Sequence, residues 1–199
     1  MNKLPQSYYE KQDVVFLARD LIGKTIVSII DGNRTSGIIT ETEAYRGYDD
    51  KACHAHLGRF TDRTKIMYET GGVAYVYLCY GIHHLFNIIT NTQDNADAIL
   101  IRAVEPIDGI DIMKQRRGKE KLDKTLTSGP GNFSKAFALD KSHYGADLTG
   151  DTVWIEESNK SIDPEEIIIS KRIGIDYADE DKDLPWRFYL NTSKFVSKR

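Results

Sequence analysis

The tripeptide Asp31-Gly32-Asn33 lies between two strand-like runs, residues 24–30 and 36–45. An Asp-Gly pair flanked by such runs is among the strongest short-range hairpin signals, because the central turn residues must take positive φ. A tight turn makes the flanking strands antiparallel neighbours, since a parallel pair needs a long crossover. The pattern recurs at residues 73–79 and 84–90, where Tyr80-Gly81-Ile82-His83 occupies the turn, and a further strand at 98–104 is expected to break at Pro106. Short strands at 152–156 and 166–170 follow, and 184–190 closes the chain.

Helical spacing is rarer. Asp13 is placed to cap a helix whose apolar positions are Val14, Leu17, Ala18, Leu21 and Ile22, with Gly23 as its stop. Residues 63–69 read as a short helix ended by Gly71-Gly72, and Asp108 as the cap of a helix through Arg117, with Gly118 after it. Residues 46–61 have no period and read as a long loop of the kind that carries function. With neither repeat nor linker, residues 1–199 are read as a single domain. The expected fold is α+β, a compact domain with a mixed, largely antiparallel curved sheet, flanking helices and a protruding β-hairpin.

Composition narrows the functional classes. A chain of 199 residues is long enough to bury roughly 70 % of its unfolded surface. The apolar runs at 99–101 and 167–169 are too short to cross a bilayer, and Met1-Asn2-Lys3-Leu4-Pro5 lacks a signal-peptide stretch. Cys53 and Cys79 are the two cysteines, so a reducing, cytoplasmic setting is expected, without membrane association. The net charge of −3 argues against a generally basic nucleic-acid binder. It resides in residues 151–199, whose cluster Asp176, Asp179, Glu180, Asp181 and Asp183 reads as a solvated loop. Residues 46–65, by contrast, set five basic side chains against three acidic ones, so a local positive patch is open.

The candidate chemistry begins at Glu41-Thr42-Glu43-Ala44-Tyr45. On a regular strand Ile39, Glu41, Glu43 and Tyr45 share one face, an odd core but a sensible site for a charged group beside a stacked ring. Glu43 is a candidate general base, although composition alone favours a surface carboxylate on an edge strand. His54, beside Cys53 and His56, raises a metal site together with His83 and His84, but the spacing matches no recognised short ligand motif. A Cys53–His54 nucleophilic pair is poorer still. Tyr75 and Tyr77 alternate onto one strand face, whereas Tyr80 leads into the turn and should protrude, as an aromatic wedge does. Arg102 sits in an otherwise apolar strand and needs a carboxylate partner, Glu43 being the obvious one. Ser128-Gly129-Pro130-Gly131 faintly resembles a helix-hairpin-helix element, but a proline-started helix is the simpler reading. The glycines fit neither a phosphate loop nor a dinucleotide fingerprint.

Taken in order, Glu41-Thr-Glu43-Ala-Tyr45, His54, Tyr75-Val-Tyr77-x-x-Tyr80-Gly81, Asn87 and Arg102-Ala-Val-Glu105-Pro106 resemble the alkyladenine (3-methyladenine) DNA glycosylase family. Ser128-Gly129-Pro130, Arg172-Ile173-Gly174 and Arg187-Phe188-Tyr189 extend the match over roughly residues 10–190. The resemblance implies a monofunctional enzyme that flips alkylated purines such as 3-methyladenine and 7-methylguanine out of duplex DNA and hydrolyses the bond to deoxyribose. Hypoxanthine and ethenoadenine remain an open extension of that range. By the same resemblance Glu43 activates water, with Arg102 and His54 beside it. Tyr45, Tyr77 and His54 wall the flipped base, Asn87 discourages normal guanine, and Tyr80 fills the gap. Arg59 and Thr61, with Arg63, lie where relatives touch phosphates, whereas Ile82 and His83 occupy hairpin positions at which relatives vary. The implied partner is double-stranded DNA carrying a damaged purine, approached from the minor groove by a monomer, with no cofactor and no metal. Two rivals stand beside this reading, a non-catalytic nucleic-acid binding module and a metal-dependent hydrolase built on His54, His56 and His83.

Overall fold

The computed structural model describes residues 2–158 and 161–199, and its first hairpin follows from its turn residues. Strands β1 (Thr25–Ile30) and β2 (Asn33–Tyr45) pair with Ile30 opposite Asn33, which leaves Asp31 (φ 52°) and Gly32 (φ 73°) as a two-residue turn. The second hairpin, β3 (Ala74–Cys79) and β4 (His83–Thr90), turns on Tyr80 (φ 51°) and Gly81 (φ 73°), with the Ile82 amide donating to the Cys79 carbonyl over 3.2 Å. Strand β5 (Asp97–Asp108) returns antiparallel to β4 and continues along β2.

Three short strands complete the sheet, namely β6 (Val153–Glu156), β7 (Ile167–Ser170) and β8 (Arg187–Leu190). The order is β3-β4-β5-β2-β1-β6, with β8 paired to Glu41–Glu43 of β2 and β7 beyond it. Every ladder among the described residues is antiparallel. Adjacent strand residues fall into different apolar clusters, which defines two faces. Ile88 and Ile99 join Leu17, Leu21, Phe133 and Phe137 in the main core, while Ile89 and Ala98 join Cys53, Met67 and Tyr75 in a smaller cluster under the 46–61 loop.

Four α-helices are described, α1 (Gln6–Tyr9), α2 (Val14–Asp20), α3 (Ile110–Arg117) and α4 (Pro130–Ala136). Asp13 caps α2 as expected, accepting from the Phe16 amide at 2.9 Å. The Ser128-Gly129-Pro130 segment is the proline-started helix α4. Residues 63–69 contain only a 3-10 turn, Lys65–Tyr68. None of the described helices is long and apolar enough to cross a membrane.

Two expectations around β5 are corrected. Pro106 does not break the strand; it stays in the ladder opposite Gly37, next to a register shift, the kind of irregularity at which a sheet tolerates proline. Asp108 does not cap α3. Its carboxylate accepts from Arg34 Nη1 (2.5 Å) and Ser36 Oγ (2.8 Å), and the helix starts from Gly109 at φ 72°. A Cβ there would lie 2.4 Å from the Arg34 carbonyl oxygen, so the turn into α3 has room only for glycine.

A third correction concerns β2. Register shifts fall between Ile39 and Glu41 and between Glu41 and Thr42. The first makes Thr40 an extra residue, and alternation restarts across it. Ile39 therefore belongs to the main core, whereas Glu41, Glu43 and Tyr45 occupy the opposite face.

Candidate active site

Strand β2 is central, flanked by β5 on one side and β8 on the other, so a carboxylate on it is far from any edge. Glu43 is 0 % exposed, which removes the surface-carboxylate reading. It accepts from the Tyr45 hydroxyl (2.8 Å), Arg102 Nη1 (3.3 Å) and the Ile173 amide (2.7 Å). Arg102 is aimed by the second register shift. Ile101 pairs with Thr42 and Ala103 with Glu41, so Arg102 is the extra residue of a β-bulge and turns out of the apolar alternation. Its guanidinium is shared, since Nε also donates to Glu41 Oε1 at 3.1 Å. Burial, and then the adjacent Glu43 carboxylate, push the Tyr45 phenol well above its usual range, which keeps it a hydrogen-bond donor.

In front of this cluster opens a cavity of about 520 Å³. Tyr45, His54, Tyr77, Asn87 and Arg102 line it. Glu43 is not part of the wall but stands behind it, while its three partners Tyr45, Arg102 and Ile173 are lining residues. The site therefore has an acidic floor screened by a phenol, a guanidinium and a backbone amide.

His54 meets Tyr77 edge-on at 4.7 Å between ring centroids, and its Nδ1 hydrogen-bonds the Tyr75 hydroxyl at 2.8 Å. Burial, followed by the charges of Arg63 and Arg59, lowers its pKa to about 4. Near pH 7 it is a neutral ring, suited to packing and not to charge stabilisation. Asn87 lines the cavity and donates through Nδ2 to the Tyr75 and Leu85 carbonyls (3.1 and 3.3 Å), which leaves its side-chain oxygen as an acceptor with no partner among these bonds.

Tyr80 is 88 % exposed and Ile82 72 % exposed at the hairpin tip, beside the cavity that Tyr80 also lines. Arg59 and Thr61 are exposed, but the Thr61 hydroxyl is engaged with Thr64 Oγ1 at 3.1 Å in a local turn. Gly129 to Asn132, at the start of α4, line another part of the wall.

The rival chemistries gain no geometry. Burial raises the Cys53 thiol to about 12, the wrong direction for a nucleophile. Among the described residues no group of three or more His, Cys, Asp or Glu side chains could hold a metal. A glycosylase of the Schiff-base type would need a nucleophilic lysine in the site. Lys51, however, pairs with Glu180 (2.9 Å) and Asp179 (3.3 Å), whose hydrogen bonds raise its pKa, Lys65 pairs with Asp62, and neither lines the cavity.

The structure gives several residues roles that the sequence did not show, although only Tyr177 among them went unnamed there. Tyr75 is the anchor of His54 and Asn87, a role its alternation with Tyr77 only hinted at. Arg63 lies over the Tyr77 ring at 4.7 Å and donates to the Tyr75 hydroxyl. Arg172 makes a fully buried fork with Asp50 (2.5 and 2.9 Å) and stacks on the Tyr45 ring at 4.8 Å. Tyr177, on the loop after Ile173, adds an exposed aromatic to the cavity.

Comparison with known proteins adds an independent line. The sequence model of the methylpurine-DNA glycosylase (MPG) family matches residues 7–194. A protein of Chlamydia felis is 49 % identical, with 96 % of this chain and 97 % of that protein covered. Relatives from Desulfitobacterium hafniense and Clostridium novyi are each 44 % identical, over 99 % and 100 % of both chains respectively. All three carry the name "Putative 3-methyladenine DNA glycosylase".

Proposed function

The chain belongs to the methylpurine-DNA glycosylase family, and from that premise we propose that it extrudes alkylated purines from duplex DNA and hydrolyses their N-glycosidic bond with water activated by Glu43. The observation that carries this reading is the fully buried Glu43 carboxylate, hung from Tyr45, Arg102 and the Ile173 amide directly behind an aromatic-walled cavity.

A duplex hides the glycosidic carbon, so the damaged nucleotide must leave the stack at a cost of a few kcal/mol. Tyr80, projecting from the hairpin tip, has the exposure and position to fill the space the base leaves. Such a wedge suits approach from the minor groove, and the partner proposed for it is duplex DNA met by a single copy of the chain. Inside the cavity the base stacks among Tyr45, Tyr77 and the neutral His54, each stacking contact being worth roughly 1–3 kcal/mol. Alkylation at a ring nitrogen makes the purine cationic, which strengthens stacking and improves the leaving group. Water attacks C1′, Glu43 takes its proton, and the base departs with the bonding electrons as a neutral molecule. The chemistry calls on no metal or organic cofactor.

The carbonyl edge of Asn87 and the absence of a protonated His54 both favour cationic lesions. The first offers an acceptor, and the second leaves no ready acid to protonate a neutral base such as hypoxanthine. Arg59 and Arg63 are proposed phosphate contacts, whereas the Thr61 amide and hydroxyl are both already engaged with Thr64.

The test is release of free base from duplex oligonucleotides carrying 7-methylguanine or hypoxanthine, in EDTA, with Glu43→Gln as control. Loss of a positioned general base should slow release by about 10²–10⁴-fold while DNA binding persists. Equal release by Glu43→Gln would overturn the assignment. No release by the wild type, with DNA still bound, would return the binding-module reading.

A further inference from the structure

Glu41, two residues before the proposed base, is fully buried and does not line the cavity. It accepts from Arg102 Nε (3.1 Å), Arg187 Nε (2.7 Å), the Ser197 amide (2.6 Å) and Ser197 Oγ (2.8 Å). Three of these four donors converge on Oε1, and Oε2 takes the Ser197 amide. Glu43 receives three among the described residues, and its Oε1 receives only the Ile173 amide. Glu43, Arg102, Glu41 and Arg187 thus form a buried chain of alternating charge, each residue at most 7 % exposed. Arg187 is itself held by Ser170 Oγ (2.8 Å) and the Lys198 carbonyl.

We propose that Glu41, braced by Arg187 and Ser197, is a positioning residue for base excision that acts through Arg102 on Glu43. A guanidinium facing a single carboxylate settles into a bidentate fork that occupies both oxygens. Arg102 does not do this to Glu43. Its Nε edge is drawn to Glu41, and it gives Glu43 one N–H, Nη1, onto Oε2. Glu41 therefore competes for Arg102 and keeps the guanidinium off Glu43 Oε1, whose one donor among the described residues is the Ile173 amide, while Arg102 still fixes the carboxylate through Oε2. The bulge that makes Arg102 the extra residue of β5 and the one that re-aims β2 before Glu41 build this sharing into the backbone. Within the sheet, the motif Glu41-x-Glu43 separates two tasks, one carboxylate holding the arginine and the other serving as the base behind the cavity wall.

This inference rests on Glu43 being the base, so the experiment measures both. Single-turnover base release and affinity for 7-methylguanine DNA are compared for wild type, Glu41→Gln, Glu43→Gln and the double variant. Expected is a fall of about 10- to 100-fold in release by Glu41→Gln, the scale set by small misplacements of catalytic groups, with lesion affinity within about twofold. In the Glu43→Gln background, Glu41→Gln should change residual release no further. Unchanged release by Glu41→Gln, parallel loss of affinity and rate, or full additivity in the double variant would each overturn the positioning role. Failure of Glu43→Gln to slow release would instead remove the parent reading. Should Glu41→Gln not fold, Ser197→Ala removes the hydroxyl that donates to Glu41 and accepts from Arg102 Nη2 (3.4 Å), without altering charge. It should then slow release with affinity unchanged, and an unaltered rate would overturn the proposal.

Discussion

A side chain's neighbours determine what it can do in this site more than its type does, and His54 illustrates this. The ring is flanked by Tyr75 and Tyr77 and lies under the guanidinium of Arg63, whose Nη2 is 3.2 Å from Nε2. In the unfolded chain a histidine titrates near 6.5, whereas burial and then Arg63 and Arg59 lower it to about 4 in the fold. Between those values the unfolded chain binds a proton that the folded one does not, so stability falls as the pH drops through that window. The contribution is fully present above about pH 6.5, and its loss below the folded value is on the order of 3 kcal/mol. Urea midpoints at about pH 7.5 and about pH 4.5 should therefore differ less for His54→Gln than for the wild type. Equal differences would show that His54 is not the titrating group. Asp50 makes the complementary case. Its fork with Arg172 is wholly buried and supports the back of Tyr45, so Asp50→Ala should destabilise by about 3–5 kcal/mol and loosen that wall. A melting temperature close to that of wild type would refute this.

At the scale of elements, hairpins were legible in the sequence and bulges were not. Asp31-Gly32 and Tyr80-Gly81 occupy adjacent positive-φ positions, a demand written in two residues and readable without tertiary information. The shifts at Thr40 and Arg102 depend on how β2 and β5 are matched over a long ladder, so regular alternation misassigned Ile39, and the sequence named Glu43 as the obvious partner of Arg102 without showing that Glu41 shares it. The persistence of β5 through Pro106 depends likewise on Gly37 across the ladder. The Tyr80 hairpin also records a conflict between folding and the proposed wedge. A non-glycine residue at φ 51° costs roughly 1–2 kcal/mol, and asparagine is the residue that tolerates it best in this turn. Tyr80→Asn should thus leave thermal stability equal or raise it by up to about 1 kcal/mol, while lesion capture weakens. Melting temperature and a fluorescent-base flipping assay together check this. Unimpaired flipping would remove the wedge role from Tyr80, and a large drop in melting temperature would show that its ring is a packing element.

Across the whole molecule, the charge is arranged against tight DNA binding. The net −3 is carried by residues 151–199, and the acidic run 176–183 belongs to the same loop as Tyr177, which lines the cavity. That run also engages a cation on the site's own loop, because Lys51 is clamped by Glu180 and Asp179 and its backbone amide donates to Asp181. A phosphate approaching Lys51 must compete with two carboxylates already in place. Replacing both, as Asp179→Asn with Glu180→Gln, removes that competition and two negative charges from the approach surface. Affinity for undamaged duplex should then rise, most strongly at low salt, and the plot of log K against log salt should steepen by about one unit for a newly engaged phosphate. Single-turnover base release should not change, since neither side chain reaches the Glu43 cluster. Titrations of the wild type and the double variant across a salt series decide the matter. Parallel lines at equal affinity would mean that Lys51 lies off the DNA path, and the acidic loop would then be an ordinary solvated surface.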